Sequence, residues 1–113
     1  ILIESAGNDC VDFSWGNYKI NYAETKKCKD KAFSVGENSY VSIKKLIIRD
    51  SEIGISSKDG SVTNLNVVII DDTKTCLEVK RKKQEFHGGI INVKNQSCKM
   101  DQISIDEGSF INF

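Results

Sequence analysis

Apolar residues recur along this chain in a column of fixed period. Val11, Phe33, Ile55 and Leu77 stand 22 residues apart (33 − 11, 55 − 33, 77 − 55). Two positions on, Phe13, Val35, Ser57 and Val79 repeat at the same spacing, and between the columns lie the polar residues Asp12, Ser34, Ser56 and Glu78. Alternation of this kind predicts short β-strands with one face buried. A constant period over four units predicts stacked repeats rather than one closed globule.

The units share their parts. After the first strand comes a turn, Trp15-Gly16-Asn17, Gly36-Glu37-Asn38 or Lys58-Asp59-Gly60. A second apolar stretch follows (Tyr18 to Ile20, Val41 to Ile43, Val62 to Leu65, Ile91 to Val93), and in two units a third (Leu46 to Ile48, Val68 to Ile70), closed by Asp50 and Asp72. Three short strands per lap predict an all-β fold, a right-handed parallel β-helix of four to five coils, in a single domain spanning residues 1–113. No segment gives a clean helical period; Lys80 to Phe86 is the only helix-like patch. Ile1-Leu2-Ile3 reads as the last strand of an earlier coil, and Ile111-Asn112-Phe113 stops in mid-coil. Both ends are therefore expected to be truncated, leaving a fragment of a longer protein or edges that pair into an end-to-end homo-oligomer.

The period slips once. Leu77 and Ile103 are 26 residues apart (103 − 77), and the surplus is placed between Lys80 and Gly89. Insertions in solenoids become loops on one face, often the binding face.

Charge narrows the partners. Sixteen Lys and Arg balance sixteen Asp and Glu. That argues against a nucleic-acid binder built on a bulk positive field, and no nucleic-acid partner is expected. No apolar run approaches the roughly 20 residues of a membrane span, so no membrane insertion is expected. Proline is absent, which leaves the turns to Gly, Asn, Asp and Ser.

The four cysteines are Cys10, Cys28, Cys76 and Cys98. Cys10 and Cys76 share a column three coils apart, about 14 Å at the spacing of stacked strands, beyond the reach of a disulfide. The same holds for Cys28 with Cys98. Cys10–Cys28 and Cys76–Cys98 are geometrically open, but the expectation is four buried thiols acting as small apolar residues. With no CxxC and one histidine, His87, no zinc site is expected. Neither another metal nor a cofactor is expected.

The chemistry is expected on the outward face of the first strand column. Stacking places Asp12, Ser34, Ser56, Glu78 and Ser104 in one row, with Ser14, Lys58 and Lys80 beside it. Carboxylates, hydroxyls and ammonium groups on one flat strip suit an extended, hydroxyl-rich polymer, with Trp15 and Tyr18 at its edge for stacking.

Two resemblances bear on this. Asn8-Asp9-Cys10-Val11 resembles the Asp-Asp-Cys motif of polygalacturonases, which are right-handed parallel β-helices. The stretch from Cys28 to Gly36 is similar to their Gly-His-Gly-Leu-Ser-Ile-Gly, and Ser56-Ser57-Lys58 stands where they carry Arg-Ile-Lys. The resemblance implies a catalytic role for Asp9 and substrate binding by Lys58. Asn8, Lys31 and Ser56 replace the partner aspartate, the histidine and the arginine. Inverting hydrolysis needs two carboxyl groups about 6.5–9.5 Å apart, for which Asp9 and Asp12 are the substitute pair. The segments Ser34 to Glu37, Gly54 to Asp59, Lys82 to Phe86 and Gly88-Gly89 resemble bacterial β-helix repeat proteins of uncharacterised function. That likeness draws attention to Lys58, Asp59, Lys82, Lys83 and Glu85.

The resulting expectation is a polysaccharide-binding module, extracellular or in the cell envelope, contacting its ligand through Asp12, Ser34, Ser56, Lys58, Asp59, Glu78, Lys82, Lys83 and Glu85. A purely structural or oligomerisation module is the rival. A fragment of a polysaccharide lyase or glycoside hydrolase is the third possibility.

Overall fold

In the computed structural model, which describes residues 1–4 and 7–113, the chain winds into a parallel β-solenoid of about five turns. The strands are β1 (Leu2–Glu4), β2 (Val11–Phe13), β3 (Gly16–Val35), β4 (Ser39–Lys58), β5 (Val62–Lys80), β6 (Ile90–Gln96), β7 (Ile103–Ile105) and β8 (Phe110–Asn112). A 3-10 turn, Met100–Gln102, lies between β6 and β7. Every pairing is parallel, and the order is β1-β3-β4-β5-β6-β8, with β2 on β3 and β7 on β5.

β3, β4 and β5 are long because each runs through the second and third strands of one coil and into the first strand of the next. The corners use left-handed backbone in two columns. Lys27, Asp50 and Asp72 mark one, with φ of 57°, 57° and 49°. Trp15, Asn38 and Asp59 mark the other, with φ of 51°, 48° and 51°. Asn and Asp tolerate this region better than other side chains, which lets a proline-free chain turn sharply.

The columns seen in the sequence are the columns of the fold. Val11 pairs with Phe33, Phe33 with Ile55, Ile55 with Leu77, and Leu77 with Ile103. Their inward side chains join Val41, Ile43, Leu46, Ile48, Leu65, Val68, Ile91 and Val93 in one continuous core along the axis. A single coil cannot bury its own inward face, so stability comes from each lap covering the next.

The slip in period has two parts. The partner offset is 80 − 58 = 22 at Lys58↔Lys80, 90 − 62 = 28 at Val62↔Ile90, and 103 − 77 = 26 at Leu77↔Ile103. Six residues are therefore added at the first corner of the fourth coil, and two are removed before β7. The inserted segment is an irregular loop between β5 and β6, with no helix.

The cysteines correct an expectation. They are not free thiols: Cys10 bonds Cys28 and Cys76 bonds Cys98, with Cα atoms 5.7 and 6.2 Å apart. Cys28 lies four residues before Ala32, and Cys98 four before Gln102 (32 − 28, 102 − 98). Ala32 and Gln102 are the positions one lap beyond Cys10 and Cys76. Each disulfide thus ties the start of a coil to the chain as it completes that lap.

Candidate functional site

Two surfaces that carry rows of polar side chains run parallel to the axis. The first is the row expected from sequence. Asp12, Ser34, Ser56, Glu78 and Ser104 stand in register on five successive coils. Only the ends of the row are open to water. Ser34 is 1%, Ser56 0% and Glu78 5% exposed. The strip expected from the sequence to be solvated is therefore buried over its three central positions. Ser34 Oγ, Ser56 Oγ and Glu78 Oε2 have no hydrogen-bond partner among the described residues. The other oxygen of Glu78 lies 3.3 Å from Lys80 Nζ.

Carboxylates and ammonium groups flank this row. Lys31 Nζ donates to Asp30 Oδ2 at 3.0 Å and lies 3.8 Å from Asp9 Oδ1. Burial acts to lower the Lys31 pKa. The Asp30 hydrogen bond and the charges of Asp9, Asp30 and Glu78 outweigh that and raise it, which keeps the ammonium charged. Asp9 also accepts the backbone N–H of Lys31 at 3.2 Å, so its carboxylate fastens one coil to the next. Asp12 stands exposed at the end of the row. Lys58 reaches over Gly36, its Cε 3.9 Å from where a Cβ on that glycine would stand.

The inserted loop closes the corner beside this row. Asp59, 1% exposed, accepts the backbone N–H groups of both Lys82 and Lys83 on Oδ1, at 2.7 and 3.0 Å. It anchors the loop and is not presented to solvent. Arg81 donates from Nε to the Phe86 carbonyl and from Nη2 to the Gln84 carbonyl, each at 2.8 Å. Lys83 Nζ meets Glu37 Oε1, and Trp15 Nε1 donates to Glu37 Oε2 at 3.2 Å. Lys82 and Glu85 are exposed on the outside of the loop. Tyr18, expected at the edge of the strip, packs its ring on Phe13 at 4.6 Å and donates its hydroxyl to the Ser14 carbonyl.

The second surface escaped the sequence reading. On the outside of the second strand of each coil lies an open trough of about 950 Å³. One wall is the register column Lys19, Ser42, Asn64, Asn92 and Asn112. The other is Asn21, Lys44, Asn66 and Lys94, and the apolar residues Ile20, Ile43, Leu65, Val93 and Phe113 line the trough as well. Five coils give it a length of about 19 Å. Asn92 Nδ2 donates to Asn64 Oδ1 and Asn112 Nδ2 to Asn92 Oδ1, both at 2.8 Å. The ladder fixes the amide planes and leaves each Asn a second N–H for a ligand. No carboxylate lines the trough, and none of its three lysines forms an ion pair among the described residues.

The signal was present but out of phase. The offsets along the first wall are 42 − 19 = 23, 64 − 42 = 22, 92 − 64 = 28 and 112 − 92 = 20. The insertion hides the asparagine column from any search at a constant period.

No protein-family model matches the chain, and neither does any curated protein or solved structure, so the likeness to polygalacturonases gains no support from comparison.

Proposed function

We propose that the protein binds an extended acidic polysaccharide along the trough of the second strand face. The observation that carries this is the composition of the trough. In a chain of zero net charge, Lys19, Lys44 and Lys94 are gathered with five asparagines and Ser42, and no Asp or Glu is among them. Ammonium groups favour carboxylate or sulfate, while aligned amides donate to and accept from hydroxyls. Repetition on a solenoid suits a polymer with its own repeat. Among the described residues Phe113 is the only aromatic lining the trough, so it lacks the row of stacking platforms that single-stranded nucleic acid uses. The two disulfides fit a protein working outside the reducing cytosol, at the cell surface or beyond.

The test is affinity electrophoresis and calorimetry on acidic, neutral and nucleic-acid polymers, with a Lys44→Ala/Lys94→Ala variant. Binding confined to acidic polysaccharide, weakened by salt and by the double substitution, is the expected result. Equal binding of single-stranded DNA, or no binding at all, sinks the proposal. An oligomerisation module is the second reading. It is favoured by the exposed apolar side chains on the terminal coils, Ile1 and Leu2 at one end and Ile105, Phe110 and Phe113 at the other. Sedimentation of a concentration series separates it from the first.

A further inference from the structure

We infer that Trp15 is a stacking platform for one sugar ring of the bound chain, a contact outside the trough; this rests on the polysaccharide reading above. Trp15 is the only tryptophan, and its side chain is 61% exposed. It occupies a corner position with φ of 51°, where the equivalent residues of the next two coils are Asn38 and Asp59. Those residue types accept left-handed backbone, whereas a bulky aromatic there is held in an unfavourable conformation. A turn alone would be served better by asparagine. Strain retained at an exposed side chain points to a use for that side chain.

The ring is also held in place. Its Nε1–H donates to Glu37 Oε2 at 3.2 Å, and its backbone N–H donates to the Glu37 carbonyl at 2.9 Å. Phe86 of the inserted loop meets it edge to face, with ring centroids 5.9 Å apart and planes at 68°. Lys83 in turn fixes Glu37 at 2.6 Å. Residues from the first, second and fourth coils thus set the orientation of one indole whose remaining surface is in water. An amphipathic ring ordered beforehand contributes contact area at little cost in conformational entropy. The C–H face of a pyranose is the complementary surface, and the Glu37–Lys83 ion pair beside the indole offers charged partners for its hydroxyls. Trp15 stands at the corner just before β3, the strand whose Lys19 lines the trough, so a polymer leaving the trough over the first coil passes beside that corner.

Because the tryptophan is unique, its fluorescence reads this site alone. The experiment titrates the protein with acidic oligosaccharides, following indole emission and calorimetric heat together, and repeats the calorimetry with Trp15→Phe and Trp15→Asn. Emission should shift with the same saturation curve as the heat. Trp15→Asn should weaken binding about tenfold, the loss expected for an aromatic anchor, while Trp15→Phe keeps most of it. Trp15→Asn should also raise the melting temperature, since asparagine suits the corner; a merely structural tryptophan would lose stability and binding together. Binding unchanged in Trp15→Asn, or emission that stays constant at saturation, overturns the platform and leaves the trough standing. A wild-type protein that binds no acidic glycan overturns both.

Discussion

Lys83 Nζ lies 2.6 Å from Glu37 Oε1, an ion pair that fastens the inserted loop of the fourth coil to the corner of the second. The pair is exposed, so its direct worth to global stability is small. Its effect is local, since Glu37 also holds the indole of Trp15.

The latch has a defined pH window. The hydrogen bond from Lys83 is the largest influence on Glu37. With the charge of Lys83 and the Trp15 hydrogen bond, it outweighs desolvation and holds the carboxyl below its ordinary 4.5. The lowered folded value means the carboxylate stabilises the closed loop above pH 4.5, and that contribution is lost as pH falls through the folded value. Lys83 is raised above its ordinary 10.5, chiefly by the hydrogen bond to Glu37. Its contribution is complete below 10.5 and is lost as pH rises through the folded value. Indole emission should be flat between these limits and change beyond each. In Glu37→Gln the acid-side change should disappear; if it persists unaltered, Glu37 is not the latch.

Asp59 should prove to be an anchor. It accepts two backbone N–H groups of the loop while buried, and its own φ is 51°. Asp59→Asn keeps a carbonyl oxygen in the same place and suits the left-handed turn. Asp59→Ala strands two donors and strains the corner, costing about 1–3 kcal/mol. Hydrogen exchange across residues 81–87 should therefore accelerate in the alanine variant and stay near wild type in the asparagine one. Equal protection in both would show that the loop is held by other contacts.

How far the sequence foretold this molecule depends on what each signal encodes. The Val11–Phe33–Ile55–Leu77 column was legible because a solenoid core demands the same side of the chain every lap, and a constant period shows it directly. Alternation also marked Ser34 and Ser56 as the polar positions between apolar ones. It could not tell that they would be buried, because alternation marks polarity and not exposure. The Asn64–Asn92–Asn112 ladder was lost to offsets of 28 and 20, which a search for 22 passes over. The disulfides were misjudged because spacing shows that Cys10–Cys28 and Cys76–Cys98 are within reach, but not whether thiols within reach are oxidised.

The two disulfides should act as independent clamps on different laps. They span separations of 18 and 22 residues, and chain-entropy arguments assign a loop of this size about 3 kcal/mol. Cys76→Ser/Cys98→Ser should lower the denaturant midpoint and raise hydrogen exchange at β7, leaving the β2–β3 pairing protected. Cys10→Ser/Cys28→Ser should do the reverse. A loss of protection spread evenly over all coils in either variant would show that the laps unfold as one unit rather than by neighbours.

Gly54 should be the least tolerant position of its column. Cys10, Ala32 and Cys76 each carry a Cβ there, but one built on Gly54 runs into the carbonyl of Cys76 and stands 3.0 Å from Ile70 Cδ1. The carbonyl belongs to the backbone of the next lap and cannot turn aside as a flexible side chain would. Gly54→Ala must therefore push β4 from β5 at the start of the first strand, in a core packed around Ile55 and Leu77. Overpacking of this kind costs about 1–3 kcal/mol. Ala32→Gly, by contrast, removes a methyl and adds backbone freedom, for about 1 kcal/mol. Urea denaturation of the two variants should rank Gly54→Ala as the more damaging. The opposite ranking would mean that the laps are spaced more loosely at this column than the Gly54–Cys76 contact implies.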